Sequence, residues 1–169
     1  MKRKDQIPPA SGKLGVLIPG LGGAVSTTFV AGVELVRKGL AAPVGSLTQL
    51  GTIRLGKRFE HRTPQIKDFI PLAGLDDLVF GGWYIYEANG YEAAMYARVL
   101  NRDHLEPIKG FLSGITPMRG VFDRRFVRNL DGTFVKKGSN LRDHVEALKE
   151  DIREFKRVHG ADRCVMIWC

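Results

Sequence analysis

Apolar residues along this chain follow two rhythms, and the changes between them mark its elements. Leu14–Ile18 is a short continuous apolar run, as a strand buried on both faces of a sheet requires. The run stops at Pro19-Gly20, and from about Gly23 the period lengthens. Phe29, Gly32, Val33, Val36 and Leu40 follow i, i+3, i+4, i+7, i+11, one face of a helix, with Gly39 as its stop. Strand, glycine turn and helix therefore follow one another directly.

Further on, Ile53 and Leu55 alternate with polar residues inside Gly45–Arg58, which predicts a half-exposed strand or loop. A second apolar run, Leu78-Val79-Phe80, ends at Gly81-Gly82-Trp83. Asn89 precedes Glu92 by three residues, a capping-box spacing that predicts a helix from Gly90 to about Arg102. Prolines, glycines and scattered basic residues across 105–138 predict little regular structure. Leu141, Val145, Leu148, Ile152 and Phe155 then lie 4, 3, 4 and 3 apart with charges between, the strongest helix signal in the chain. Ser139 or Asn140 can cap its start and Gly160 can end it. This stripe spans barely two heptads before the apolar run Arg163–Cys169, so a sheet-covering helix and a buried strand fit better than a coiled coil.

Strands alternating with helices predict an α/β fold, a Rossmann-like parallel sheet covered by helices through right-handed crossovers. Residues 1–12 are expected to be a polar lead-in and 13–169 one partial Rossmann-like unit. Because the last predicted strand runs to Cys169 with no loop behind it, the sheet is expected to be incomplete and the chain cut short.

Bulk properties narrow this picture modestly. The 169 residues suit one domain, and 44% hydrophobic content supplies a core without disulfides or metal. A net charge of +8 favours an anionic partner, polymeric or small. No run approaches the roughly 18 apolar residues of a membrane span, and no apolar signal segment follows the basic Met1–Lys4, so a cytoplasmic location is expected. Cys164 and Cys169, five apart on one predicted strand, face opposite sides and cannot pair; buried reduced thiols are the expectation. His61, His104, His144 and His159 show no metal-ligand spacing.

The glycine turn carries the most specific chemistry. Gly20 permits a tight turn after the strand, and Gly22 lets backbone approach a phosphate closely. The helix opening at Ala24–Ser26 would offer free N–H groups and its positive dipole end, with Ser26, Thr27 and Thr28 adding hydroxyl donors. The pattern departs from G-x-G-x-x-G at Val25, and no Lys completes a Walker loop. No Asp or Glu lies in 40–58 to hold a ribose, and Glu34 sits inside the helix. On these residues alone a pyrophosphate cradle and a simple packing turn both remain open.

Longer blocks are more discriminating. "LGVLIPGLGGAVSTTFVAGVELVRKGL", "GSLTQLGTIRLGKR", "PLAGLDDLVFGGW", "DGTFVKKG" and "DRCVMIWC" together resemble the N-terminal part of the inositol-3-phosphate synthase family, prokaryotic type, from about Lys13 to Cys169. The resemblance implies NAD as cofactor and conversion of D-glucose 6-phosphate to 1D-myo-inositol 3-phosphate, by oxidation at C5, aldol closure and re-reduction. It implies a pyrophosphate loop at Gly20, Leu21, Gly22, Gly23, Ala24, Val25, Ser26 and Thr27. It also places Ser46, Thr48 and Gln49 of the Gly-Ser-x-Thr-Gln block, with Trp83 and Tyr84, beside the cofactor.

Where the family usually carries Asp after Gly-Trp, this chain has Tyr84, which cannot accept two ribose hydroxyls as a carboxylate does. The loop is also one glycine longer than the prokaryotic pattern. The family's catalytic lysines and its tetramer-forming region have no counterpart in these residues. The isolated chain is therefore expected to bind cofactor without turning over glucose 6-phosphate.

The alternative is a non-catalytic basic module. Lys57, Arg58 and Arg62, then Arg119, Arg124, Arg125, Arg128, Lys136 and Lys137, could face nucleic acid or another polyanion, with Trp83, Tyr84 and Tyr86 for stacking. No recognition motif accompanies that charge, so nucleic acid is the less favoured partner.

Overall fold

The computed structural model describes residues 11–168. Most of the expected lead-in, residues 1–10, and Cys169 lie outside the described residues. Four parallel strands form one sheet: β1 (Lys13–Pro19), β2 (Leu78–Tyr84), β3 (Met118–Arg119) and β4 (Ala161–Met166), in the spatial order β3-β2-β1-β4. Three helices of eight residues or more accompany it, α1 (Ala24–Arg37), α4 (Gly90–Ala97) and α7 (Leu141–His159). The shorter α2 (Leu47–Leu50), α3 (Ile66–Phe69), α5 (Arg102–Leu105) and α6 (Lys109–Ser113) are single turns or little more.

Parallel pairing brings the C-terminal ends of all strands to one edge. Pro19 lies opposite Trp83, Tyr84 opposite Arg119, and Leu17 opposite Met166. After β3 the chain crosses the sheet to lay β4 on the far side of β1, so the order reverses between β1 and β4. Such a switch point opens a crevice beyond the strand ends.

The pleat divides the core between two faces. Val16, Ile18 and Phe80 pack with Val30 and Ala31 of α1, Ala94 of α4, and Leu105, Ile108 and Leu112. Leu17 and Trp83 pack on the other face against Phe155 of α7. Asn89 caps α4 through a full capping box with Glu92. Asn140 caps α7 by accepting from the Asp143 N–H, and Gly160 ends that helix in the left-handed region. Glu34 is buried on α1 and pairs with Arg37, whose guanidinium also donates to the carbonyls of Leu75 and Leu78. That clamp fixes α1 to the start of β2 and accounts for Glu34 without any ligand.

Several expectations need correction. The first part of 105–138 is more ordered than the prolines imply: residues 105–119 hold short helical turns and β3, with Leu105, Ile108 and Leu112 essentially inaccessible on the first face, while 120–138 carries little regular structure, as expected. Strand β2 does not stop at Phe80 but runs on through Gly81, Gly82, Trp83 and Tyr84. Helix α4 ends at Ala97, because Arg98 turns into the left-handed region. Gly45–Arg58 takes the loop form of the two expected, with the turn α2 added and one side of an irregular arm joined by the Thr52–Gln65 bridge. Strand β4 ends at Met166 and is half exposed, since one of its edges has no strand among the described residues. Cys164 is accordingly half-buried, with its thiol pKa pushed up mainly by desolvation.

Candidate functional site

The turn between β1 and α1 stands at the C-terminal edge of the sheet, beside the switch point. Its shape is set by β2: the N–H groups of Gly20 and Leu21 both donate to the Trp83 carbonyl, at 2.9 and 3.0 Å. Gly20 then takes φ +91, a conformation that side chains with a Cβ rarely tolerate. The Gly23 N–H donates back to the Gly20 carbonyl at 2.8 Å, closing the turn.

Gly23 is the N-cap of α1 and has no side chain to cap it, and no acidic residue lies in the first turn. The opening N–H groups of the helix therefore keep their orphan donors and positive dipole end, with exposed Ala24 and Val25 at the rim. An anion is the natural complement of such an end.

The hydroxyls expected to help are already engaged. Ser26 is buried and donates to the Gly20 carbonyl at 2.9 Å. Thr27, also buried, donates to Gly23 at 2.9 Å, and Thr28 donates to Ala24 at 2.7 Å. These side chains shape the turn from within, so the donors left for a ligand are backbone N–H groups.

Two hollows border the turn, and a third lies farther along α1. One of about 500 Å³ lies between Gly22 and α4, walled by Tyr84, Tyr86 and Tyr96. Tyr84 lies so close to Gly22 that any Cβ there would overlap its ring, and it meets Tyr86 edge-on at 5.5 Å. Desolvation, followed by the neighbouring Tyr86 and Tyr96, raises the Tyr84 hydroxyl above its usual pKa, keeping it a neutral donor. A second hollow of about 580 Å³ opens at the switch point between the ends of β1, β2 and β4, against Gly20, Trp83, Met166 and Trp168. The third, about 400 Å³, runs along the outer flank of α1 and holds Ser46, Thr48 and Gln49.

The structure thus gathers Gly20, Leu21, Gly22, Gly23, Trp83 and Tyr84 around one turn. It sets Ser46, Thr48 and Gln49 on the opposite flank of α1, where Thr28 and Phe29 are their neighbours. Trp83 is buried; its carbonyl, rather than its ring face, meets the turn.

Asp151 is not among the residues singled out from the sequence, and Lys136 is read there only as part of the second basic group, whereas the structure pairs the two. Asp151 accepts from the Trp83 indole N–H at 2.6 Å, and Lys136 bonds the same carboxylate at 2.9 Å. The signal was present: Asp151 falls three residues after Leu148 and four before Phe155, on the apolar stripe of α7.

The second basic group proves largely internally paired. Arg124 pairs with Asp131, Arg125 with Asp123, and Arg119 lies over the Phe134 ring at 4.3 Å. No group of three or more metal-ligating side chains occurs among the described residues, and none of their helices is long and apolar enough to cross a membrane.

Comparison with known proteins bears directly on this edge. Residues 14–169 match the family model for myo-inositol-1-phosphate synthase, an NAD-binding family. The chain is 47% identical over 165 residues to inositol-3-phosphate synthase 1 of Bacteroides thetaiotaomicron, covering 98% of this chain and 38% of that protein. It is 35% identical over 170 residues to isozyme 1 of Arabidopsis thaliana, covering 92% of this chain and 33% of that one. In structure it resembles inositol-3-phosphate synthase from Caenorhabditis elegans, with a TM-score of 0.83 at 27% identity over 94% of this chain and 34% of the other. The chain therefore spans between a third and two fifths of the length of these relatives.

Proposed function

Because this chain belongs to the myo-inositol-1-phosphate synthase family, we propose that residues 13–169 are the cofactor-holding unit of an enzyme converting D-glucose 6-phosphate to 1D-myo-inositol 3-phosphate. The observation that carries the reading is the uncapped, acid-free start of α1 behind a glycine turn at the switch point. NAD is the cofactor of the matched family, and when bound it supplies a hydride acceptor and then a donor.

The residues present fit that group at the turn. Gly20 and Gly23 leave the backbone bare, and the N–H groups of the first turn of α1 are free to hold the pyrophosphate. The tyrosine-walled hollow beside Gly22 and the switch-point hollow beside Gly20 would receive the two halves of the cofactor on either side of the turn. Trp83 fixes the turn through its carbonyl. Ser46, Thr48 and Gln49 line the hollow on the outer flank of α1, away from the turn.

At the ribose the fit is weaker. Tyr84 offers one neutral hydroxyl where a carboxylate would accept two hydrogen bonds. The matched region is about a third of each relative's length, and we read it as the region that holds the cofactor rather than one that carries the turnover of glucose 6-phosphate by itself. Glucose 6-phosphate, a tetrameric assembly and a cytoplasmic location attach to the whole enzyme.

The test is calorimetric titration of NAD⁺ into the native chain and into Tyr84→Asp. Binding by the native chain is expected, tightened about tenfold by the carboxylate, the worth of a hydrogen bond to a charged group. A folded chain that ignores NAD⁺ in both forms would sink the reading.

A further inference from the structure

We infer that Asp151, on the helix that covers the opposite face of the sheet, is a positioning residue for the glycine turn, acting through Trp83 and held in place by Lys136. This inference rests on the cofactor reading for its consequence but not for its geometry. The chain of contacts is short and continuous. The Lys136 ammonium pairs with Asp151 at 2.7 Å, and both side chains are largely buried, at 13% and 19% exposure. The Asp151 carboxylate accepts from the Trp83 indole at 2.6 Å, and Trp83 itself is 5% exposed. The Trp83 carbonyl in turn accepts the N–H groups of Gly20 and Leu21, the first two residues of the turn.

Each link has a physical reason to be rigid. A carboxylate on the apolar stripe of α7, beside half-buried Leu148 and Ile152, is costly unless its oxygens are satisfied, and two donors satisfy them here. Charge-assisted hydrogen bonds of this kind are short and directional. Lys136 is anchored in its own right, because its backbone N–H donates to the Gly120 carbonyl at 2.8 Å, just beyond β3. The indole is therefore clamped to α7 and to the segment after β3 at once. The peptide after Trp83 can then hold one orientation toward the turn. A hydrophobic residue at 151 would fill the same face, so packing alone does not call for this carboxylate.

The test uses the full chain in a Trp168→Phe background, leaving Trp83 as the one indole. Asp151→Leu removes both bonds, Asp151→Asn keeps an acceptor for the indole without the charge, and Lys136→Met removes the anchor. Ile152→Ala serves as a control that loosens the packing of α7 on the same face while leaving the Asp151–Trp83 and Asp151–Lys136 bonds in place. Amide hydrogen exchange at Gly20 and Leu21 is expected to accelerate at least about tenfold in Asp151→Leu relative to the amides of Val16 and Leu17, as a local opening does. Asp151→Asn should restore most of that protection, Lys136→Met should lie between them, and Ile152→Ala should leave the ratio unchanged.

Trp83 emission should change in the same order, and the NAD⁺ dissociation constant should rise with it. Should Asp151→Leu fail to fold, Lys136→Met carries the comparison by itself. Exchange at Gly20 and Leu21 that follows only global stability, equal in Asp151→Leu and Ile152→Ala, would overturn the inference. If the native chain does not bind NAD⁺, the cofactor reading fails while the exchange pattern still decides this one.

Discussion

The two faces of the sheet are built on different principles. The face under α1 and α4 is sealed by apolar side chains, with Ile18, Ala31, Leu105 and Ile108 wholly inaccessible. The face under α7 is thin: Leu17, Trp83 and Phe155 are buried, Leu148 and Ile152 only partly, and Leu141 and Val145 lie exposed. Close approach and polar contact replace bulk there. The Phe155 ring lies against the backbone of Gly15 and Gly81, and Trp83 is tied to Asp151 and Lys136. The sealed face gives the sheet its stability, while the thin face reaches the strand ends where the glycine turn is hung.

The sharpest way to break this comparison is to hollow each face in turn. Ile108→Ala on the sealed face should cost about 3–4 kcal/mol, in the upper part of the range for large-to-small core changes. Ile152→Ala, half-buried on the thin face, should cost about half as much on the same cavity argument. Urea unfolding of both would check this, and equal losses would remove the distinction.

A smaller effect is expected at the polar tie. Trp83→Phe keeps an aromatic ring but deletes the indole donor, leaving Asp151 with Lys136 alone. We expect a loss of about 1–2 kcal/mol for the missing bond to a charged acceptor, measurable in the same way. Asn89→Ala breaks the capping box of α4 and should cost about 1 kcal/mol without altering either face.

How far the sequence alone reveals these two faces follows from where each signal lies. β1, its turn and α1 are legible because one apolar run gives way directly to a 3.6-residue period, all within local sequence. α7 is legible for the same reason. Residues 102–113 are not: Leu105, Ile108 and Leu112 keep helical spacing, but Pro107 and Gly110 break the segment into short turns, and their burial comes from the cluster they join with β1, β2, α1 and α4. The length of β2 was hidden by Gly81 and Gly82, which look like a stop. Gly81 is needed because Phe155, seventy-four residues later, lies on it.

The glycine turn could be located in the sequence, but its donors could not be assigned there. Hydroxyls at Ser26, Thr27 and Thr28 look available until their carbonyl partners are seen. The position of Asp151 on the apolar stripe of α7 is legible, but its partner is not until the Trp83 indole is placed across from it.

The smallest expected effect is a pH dependence at the tyrosine hollow. Desolvation raises the Tyr84 pKa in the folded chain, so the folded state holds that proton more tightly than the unfolded one. Its contribution is complete below the unfolded value near 10 and is lost as pH rises through the higher folded value. Urea midpoints should therefore decline between about pH 9 and pH 11 in the native chain, less steeply in Tyr84→Phe. Cys164, also raised by desolvation, adds to that decline in both.

The most direct trial of the whole account is an amide nitrogen–proton correlation spectrum of the chain recorded as NAD⁺ is added. Binding at the uncapped start of α1 predicts the largest shifts at Gly22, Gly23, Ala24, Val25 and Ser26, with smaller ones at Tyr84 and Tyr86. Shifts confined to the basic arm of Lys57, Arg58 and Arg62, or none at the turn in a folded chain, would contradict it.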